Sequence, residues 1–95
     1  MAHVGRATHV DIDHLLDRAI AGWEELTEVE QEIDGWDLID QIVFIEEWPL
    51  EEERLRRLAR YAQADDLTEG QRLRYEDLLR LVERQRPIIT RLQHS

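Results

Sequence analysis

From Ile12 to Ile33 apolar residues recur every three or four positions, at Ile12, Leu15, Leu16, Ala19, Ile20, Trp23, Leu26 and Ile33. At ~100° per residue they fall in a stripe about 140° wide, with Asp13, Asp17, Glu24, Glu25, Glu28 and Glu32 outside it. The spacing predicts a long amphipathic helix. Thr8-x-x-Asp11 supplies its start, a hydroxyl cap followed by an acid in the first turn. Gly22 lies inside the pattern at a helix-propensity cost of ~1 kcal/mol against alanine. The helix is expected to end near Asp34-Gly35, where glycine supplies the left-handed residue that closes helices. Residues 1–7 lack periodicity and are read as a frayed or disordered N-terminus, leaving 8–95 as a single all-α domain.

The segment from Trp36 to Trp48 is the most apolar in the chain. Leu38, Ile39, Ile42, Val43, Phe44, Ile45 and Trp48 surround most of a helix circumference. A helix apolar all round is either central in a core or shared with a partner subunit. The run Ile42-Val43-Phe44-Ile45 also fits a short buried strand, but the chain offers no second strand to pair with it.

Pro49 marks a boundary, ending the second helix and opening a third. Glu51, Glu52 and Glu53 sit at the positive end of that third helix. Glu52–Arg56 and Glu53–Arg57 are spaced as i,i+4 pairs, each worth about 0.2–0.5 kcal/mol. Leu55, Leu58, Ala59, Tyr61 and Ala62 form its apolar side. Ala64 to Leu67 reads as a turn, and Thr68-x-x-Gln71 as the capping box of a fourth helix. Tyr75, Leu78, Leu79 and Val82 recur there at i, i+3, i+4 and i+7. Pro87 predicts a kink or break at Arg86, with Ile88, Ile89 and Leu92 as a last apolar cluster.

About four helical segments with short connections predict a small antiparallel helical bundle or paired helical hairpins. At this size only about 60–65% of the unfolded chain's surface can be buried. The second segment offers more apolar surface than one small bundle covers, so a homodimer is expected.

Charge is unevenly distributed. Residues 1–53 hold 16 acids against Arg6 and Arg18, while residues 54–95 hold 6 acids against 10 arginines. With a net charge of −10 the chain repels phosphate at long range. The favoured reading is that the two halves pack against each other, within one chain or across a dimer. Lysine is absent, so every basic side chain apart from histidine is a guanidinium suited to bidentate carboxylate contacts.

The 42% hydrophobic share supports a folded core. A membrane helix needs roughly 20 apolar residues, far more than the longest run here. The first fifteen residues lack a basic start followed by an apolar stretch, so no secretory signal is expected. No cysteine is present, which excludes disulfides, thiol catalysis and cysteine-based zinc sites. A cytoplasmic protein is expected.

His9, Asp11, Asp13, His14 and Asp17 could offer two or three groups to a divalent cation, but they read better as a solvated acidic face at a helix start. The acids around Gly35 do not match a calcium loop. Glu30 falls on the extended apolar stripe, so either the first helix ends sooner or Glu30 meets an arginine. Ser95 is the only serine, His3, His9 and His94 lie near the ends, and no phosphate loop or nucleophile–base pair is present. No enzyme, cofactor or metal site is expected. The arginine-rich half shows no recognition helix, stacking motif or backbone clamp for nucleic acid.

Tryptophan and arginine are enriched at interface hot spots, and core and interface weigh evenly for Trp36 and Trp48. The leading expectation is a non-enzymatic interaction or regulatory module, an acidic adaptor, inhibitor or antitoxin-like partner that self-associates. Its partner-binding residues would be Trp36, Ile39, Val43, Phe44 and Trp48, rimmed by acid and facing a protein that is itself basic. The alternative is a nucleic-acid-linked protein, acting as an acidic mimic or as a weak binder through its arginines.

Overall fold

The computed structural model describes residues 9–94, with side chains from residue 11 onward. The chain forms α1 (His9–Glu32), a 3-10 turn (Ile33–Gly35), α2 (Leu38–Glu47), α3 (Pro49–Gln63) and α4 (Glu69–Gln93), with no strand among the described residues. The all-α class read from the periodicity is the class observed. No helix among the described residues is long and apolar enough to cross a membrane. The proposed start at Thr8 and the frayed segment 1–7 lie outside the described residues.

Four helical segments build three legs. Gln71 Nε2 donates to Asp13 (3.0 Å), Gln85 Nε2 donates to the Trp23 carbonyl (3.1 Å) and to Thr27 (2.9 Å), and Arg91 pairs with Glu30. Residue numbers therefore rise together along α1 and α4, which run parallel and share the most extensive packing in the molecule. α2 and α3 form the return leg between them. Successive legs are antiparallel as expected, but the four helices make an up–down–up bundle of three legs rather than four legs or two hairpins. The reason lies at Trp48, whose φ of −56° and ψ of −34° keep the backbone helical in front of Pro49. Proline divides the leg without reversing it.

The core follows this topology. Along α1 and into the turn after it one inward row is Ile12, Leu16, Ala19, Trp23, Leu26, Glu30 and Ile33, with Val29 buried beside it, and along α4 the row is Gln71, Tyr75, Leu78, Val82, Gln85, Ile89 and Leu92, with Leu81 beside it. Both sets alternate steps of three and four residues, the spacing of a coiled-coil seam. Leu58 of α3 closes the core with no exposed surface. Glu30 does meet an arginine, Arg91. The acidic and basic halves also meet within one chain where Arg74 pairs with Asp17 and Arg86 with Glu52.

Local chemistry sets the helix ends, with three departures from expectation. Thr68 Oγ1 accepts from the Gln71 N–H (3.1 Å) and Gln71 Oε1 from the Thr68 N–H (2.9 Å), the reciprocal box read from the sequence. At the end of α1, however, Gly35 lies in the 3-10 turn without a left-handed φ. The left-handed residue is Asp65, with φ 59°, where the Asp66 N–H reaches back to the Tyr61 carbonyl (2.9 Å) and closes α3.

Second, α4 continues through Pro87 without the predicted break, so Ile88, Ile89 and Leu92 extend the same seam. Ile89, almost fully buried, holds the last turns against the core. Third, the pairs on α3 are re-partnered. Glu53 binds Arg56 (2.8 Å) and lies near Arg60 (3.5 Å), whereas Glu52 turns to Arg86 on α4. The Arg56 hydrogen bond, with Arg60 behind it, holds the Glu53 carboxyl below its ordinary range. Gly22 has a packing role as well, since a Cβ there would lie 2.6 Å from the Glu51 carboxylate.

Candidate functional site

Helix α2 is positioned by its inner face. Gln41, Phe44, Ile45 and Trp48 recur at i, i+3, i+4 and i+7, the spacing of one helical side. Gln41 Nε2 donates to the carbonyls of Ile33 (2.9 Å) and Trp36 (3.0 Å), tying the start of α2 to the end of α1. An aromatic ladder continues the attachment. Trp36 meets Phe44 edge-on with ring centroids 5.9 Å apart, Phe44 lies 5.9 Å from Trp48, and Trp48 meets Trp23 edge-on at 4.9 Å.

At the foot of the ladder the rings are locked by charge. Trp48 Nε1 donates to Glu52 (3.0 Å), and Arg86 grips the same carboxylate with two nitrogens at 3.0 and 3.2 Å. The Arg86 guanidinium also lies 5.0 Å over the Trp23 ring, within cation–π range. Glu52 thus joins α2, α3 and α4, a role its sequence spacing to Arg56 did not reveal. The i−4 relation to Trp48 was the available signal; the Arg86 contact is tertiary.

The structure divides the five residues read as partner-binding. Trp48 is 3% exposed and belongs to the core, and Trp36 and Phe44 are half-buried rungs of the ladder. An accessible role for Trp48 is thereby corrected, because its ring is enclosed by Trp23, Phe44 and the Glu52 bond. Ile39 and Val43 point outward, at 73% and 43% exposure. Leu38 and Ile42 join them at 69% and 45%, and Leu50 at the start of α3 is also open. A segment apolar on all sides gives no sequence signal for which side faces out.

Helix α2 has no fully buried residue. Its outer apolar face is bordered by Asp37, Asp40, Glu46 and Glu47, all exposed. Between Arg18 and Arg54 the chain carries thirteen acids and no basic residue, and Glu30, Glu51, Glu52 and Glu53 among them are paired with arginines.

Elsewhere the candidate clusters are engaged structurally. Asp13 accepts from Gln71, Asp17 pairs with Arg74, and no three metal-ligating side chains converge among the described residues. Thr27 and Thr68 accept the hydrogen bonds described above. Arg54, Arg56, Arg60, Arg72, Arg74, Arg80, Arg86 and Arg91 are all in ion pairs.

No family model, no curated protein and no solved structure matches this chain.

Proposed function

We propose that this chain is a non-enzymatic protein-interaction module of the adaptor, inhibitor or antitoxin-like kind, and that the outer face of α2 is its recognition surface. One observation carries the reading: four branched aliphatic side chains stand exposed on a ten-residue helix whose inner face is anchored to the core. Leaving such groups in water forgoes about 25 cal/mol per Å² of burial, and contiguous apolar patches rimmed by polar residues mark interaction sites. The acid border selects the partner by charge. A protein surface with an apolar centre and arginine or lysine around it is attracted, and an acidic one is repelled.

The nucleic-acid reading draws less support. Arginines held in intramolecular ion pairs would have to leave those partners to neutralise phosphate. No particular feature of the acidic end favours mimicry over ordinary protein docking.

A photo-crosslinking amino acid at Ile39, compared with one at the exposed Glu76 of α4, tests the proposal in the producing cell. Protein adducts, with this chain or another, are expected at position 39 and not at 76, and Val43→Asp should remove them. Equal patterns at both positions, or none at either, would defeat it.

A further inference from the structure

Helix α2 carries the same spacing on both of its sides. Its inner row is Gln41, Phe44, Ile45 and Trp48, and its outer row is Ile39, Ile42, Val43 and Glu46, again at i, i+3, i+4 and i+7. All four outer residues are exposed. Anchors at that spacing are how a helix fills a groove on another protein. Three of the four here are aliphatic, and the last is a carboxylate.

Glu46 has no ion-pair or hydrogen-bond partner among the described residues. Glu51, Glu52 and Glu53, further along the same leg, are held by Arg54, Arg86 and Arg56. Asp40 and Glu47 lie one turn from Val43 but beside the row, where a docked protein can leave them in water. Glu46 lies within it. A surface that covers Ile42 and Val43 also covers Glu46, and taking a carboxylate out of water is costly unless a cation and hydrogen-bond donors replace that water.

We infer that α2 seats as a preformed helix in an apolar groove of another protein, whose arginine or lysine meets Glu46 at one end of that groove. This rests on the reading of α2 as a recognition surface and fixes where the partner's positive charge lies. At ~1.5 Å per residue, it stands about 10 Å along the groove from the pocket that takes Ile39. Gln41 and the ladder of Trp36, Phe44 and Trp48 already hold α2 in place, so docking loses little chain entropy. A second copy is the poorer occupant. Each copy carries a net charge of −10, and most of its arginines are held in its own ion pairs.

The test keeps the photo-crosslinking amino acid at Ile39 in the producing cell and varies Glu46. Glu46→Gln preserves the side chain's shape and removes its charge, and should lower the yield of the position-39 adduct about tenfold or more. Glu46→Leu completes the aliphatic row and should lower the yield as well, because the partner's cation is then buried without a counter-charge. Asp40→Asn removes a charge of the same sign beside the row and should change the yield less than about twofold. Both positions are exposed, and far-ultraviolet circular dichroism verifies that each variant keeps its helices.

An unchanged yield with Glu46→Gln, or a rise with Glu46→Leu, overturns the inference, since the carboxylate would then only keep an apolar face soluble. Equal losses with Glu46→Gln and Asp40→Asn overturn it by assigning the effect to net charge. An adduct at twice 11.4 kDa does so by making the occupant a second copy. In each of these cases the adduct leaves α2 standing as a recognition surface, whereas no adduct at position 39 with Glu46 intact refutes both.

Discussion

Asp65 holds a conformation that an L-residue adopts at a cost. Its φ of 59° lies in the left-handed region, where Cβ crowds the following carbonyl, although aspartate tolerates it better than most residues. Its carboxylate receives Arg72 at 2.9 Å, but both groups are substantially exposed, so that pair contributes only a few tenths of a kcal/mol. Glycine would remove the steric strain, lose the ion pair and make the unfolded chain more flexible. Asp65→Gly is expected to gain about 0.5 kcal/mol and raise the melting temperature by about 2–4 °C. A lower melting temperature would show that the ion pair and chain entropy outweigh the strain. Gln85 presents the opposite case, a nearly buried amide whose nitrogen is fully used by Trp23 and Thr27. Replacing it with leucine would lose two hydrogen bonds at an inward seam position. Gln85→Leu should cost about 1–2 kcal/mol, read from denaturant midpoints, and unchanged stability would mean that added apolar burial replaces the bonds.

Pro87 sits inside a helix of 25 residues, where it cannot donate to the carbonyl one turn earlier. Burial of Ile89 and the Arg91–Glu30 pair keep the final turns helical despite that loss. Pro87→Ala restores the donor at an exposed site and should stabilise by up to about 3 kcal/mol. A denaturant midpoint at or below wild type would show that the helix has relaxed around the ring at no cost. Most elements were legible because their signals are local: the α1 stripe, Pro49, and the Thr68–Gln71 box each depend on residues within a turn or two. The first helix does end close to Gly35, though without a left-handed glycine, whereas the break expected at Pro87 is absent because burial of Ile89 overrides local preference. At α2 the segment was legible but its orientation was not. Phe44 and Ile39 look alike in a one-dimensional pattern, and the tertiary contacts of Gln41 with the end of α1 and of Phe44 with Trp36 and Trp48 accompany one turned inward and the other out.

Across the whole molecule, the lack of lysine simplifies the response to alkali. Arginine stays protonated well above pH 10, so the ion pairs that join the legs keep their charge there. In the alkaline range, Tyr75 ties a proton to folding. It lies half-buried on the α4 seam, and burial pushes its phenol above the ordinary value of 10.0. The folded state therefore holds this proton more tightly than the unfolded chain. The resulting contribution is complete below about pH 10, where the phenol is neutral in both states, and is lost as pH rises through the higher folded value. Denaturant midpoints are expected to change little from pH 8 to 10 and to fall above it. Tyr75→Phe keeps the ring in the seam and removes the titrating group, so its decline above pH 10 should be shallower than that of the wild type. Parallel declines would assign the alkaline loss to another part of the molecule, and the coupling between the seam and this proton would have to be abandoned.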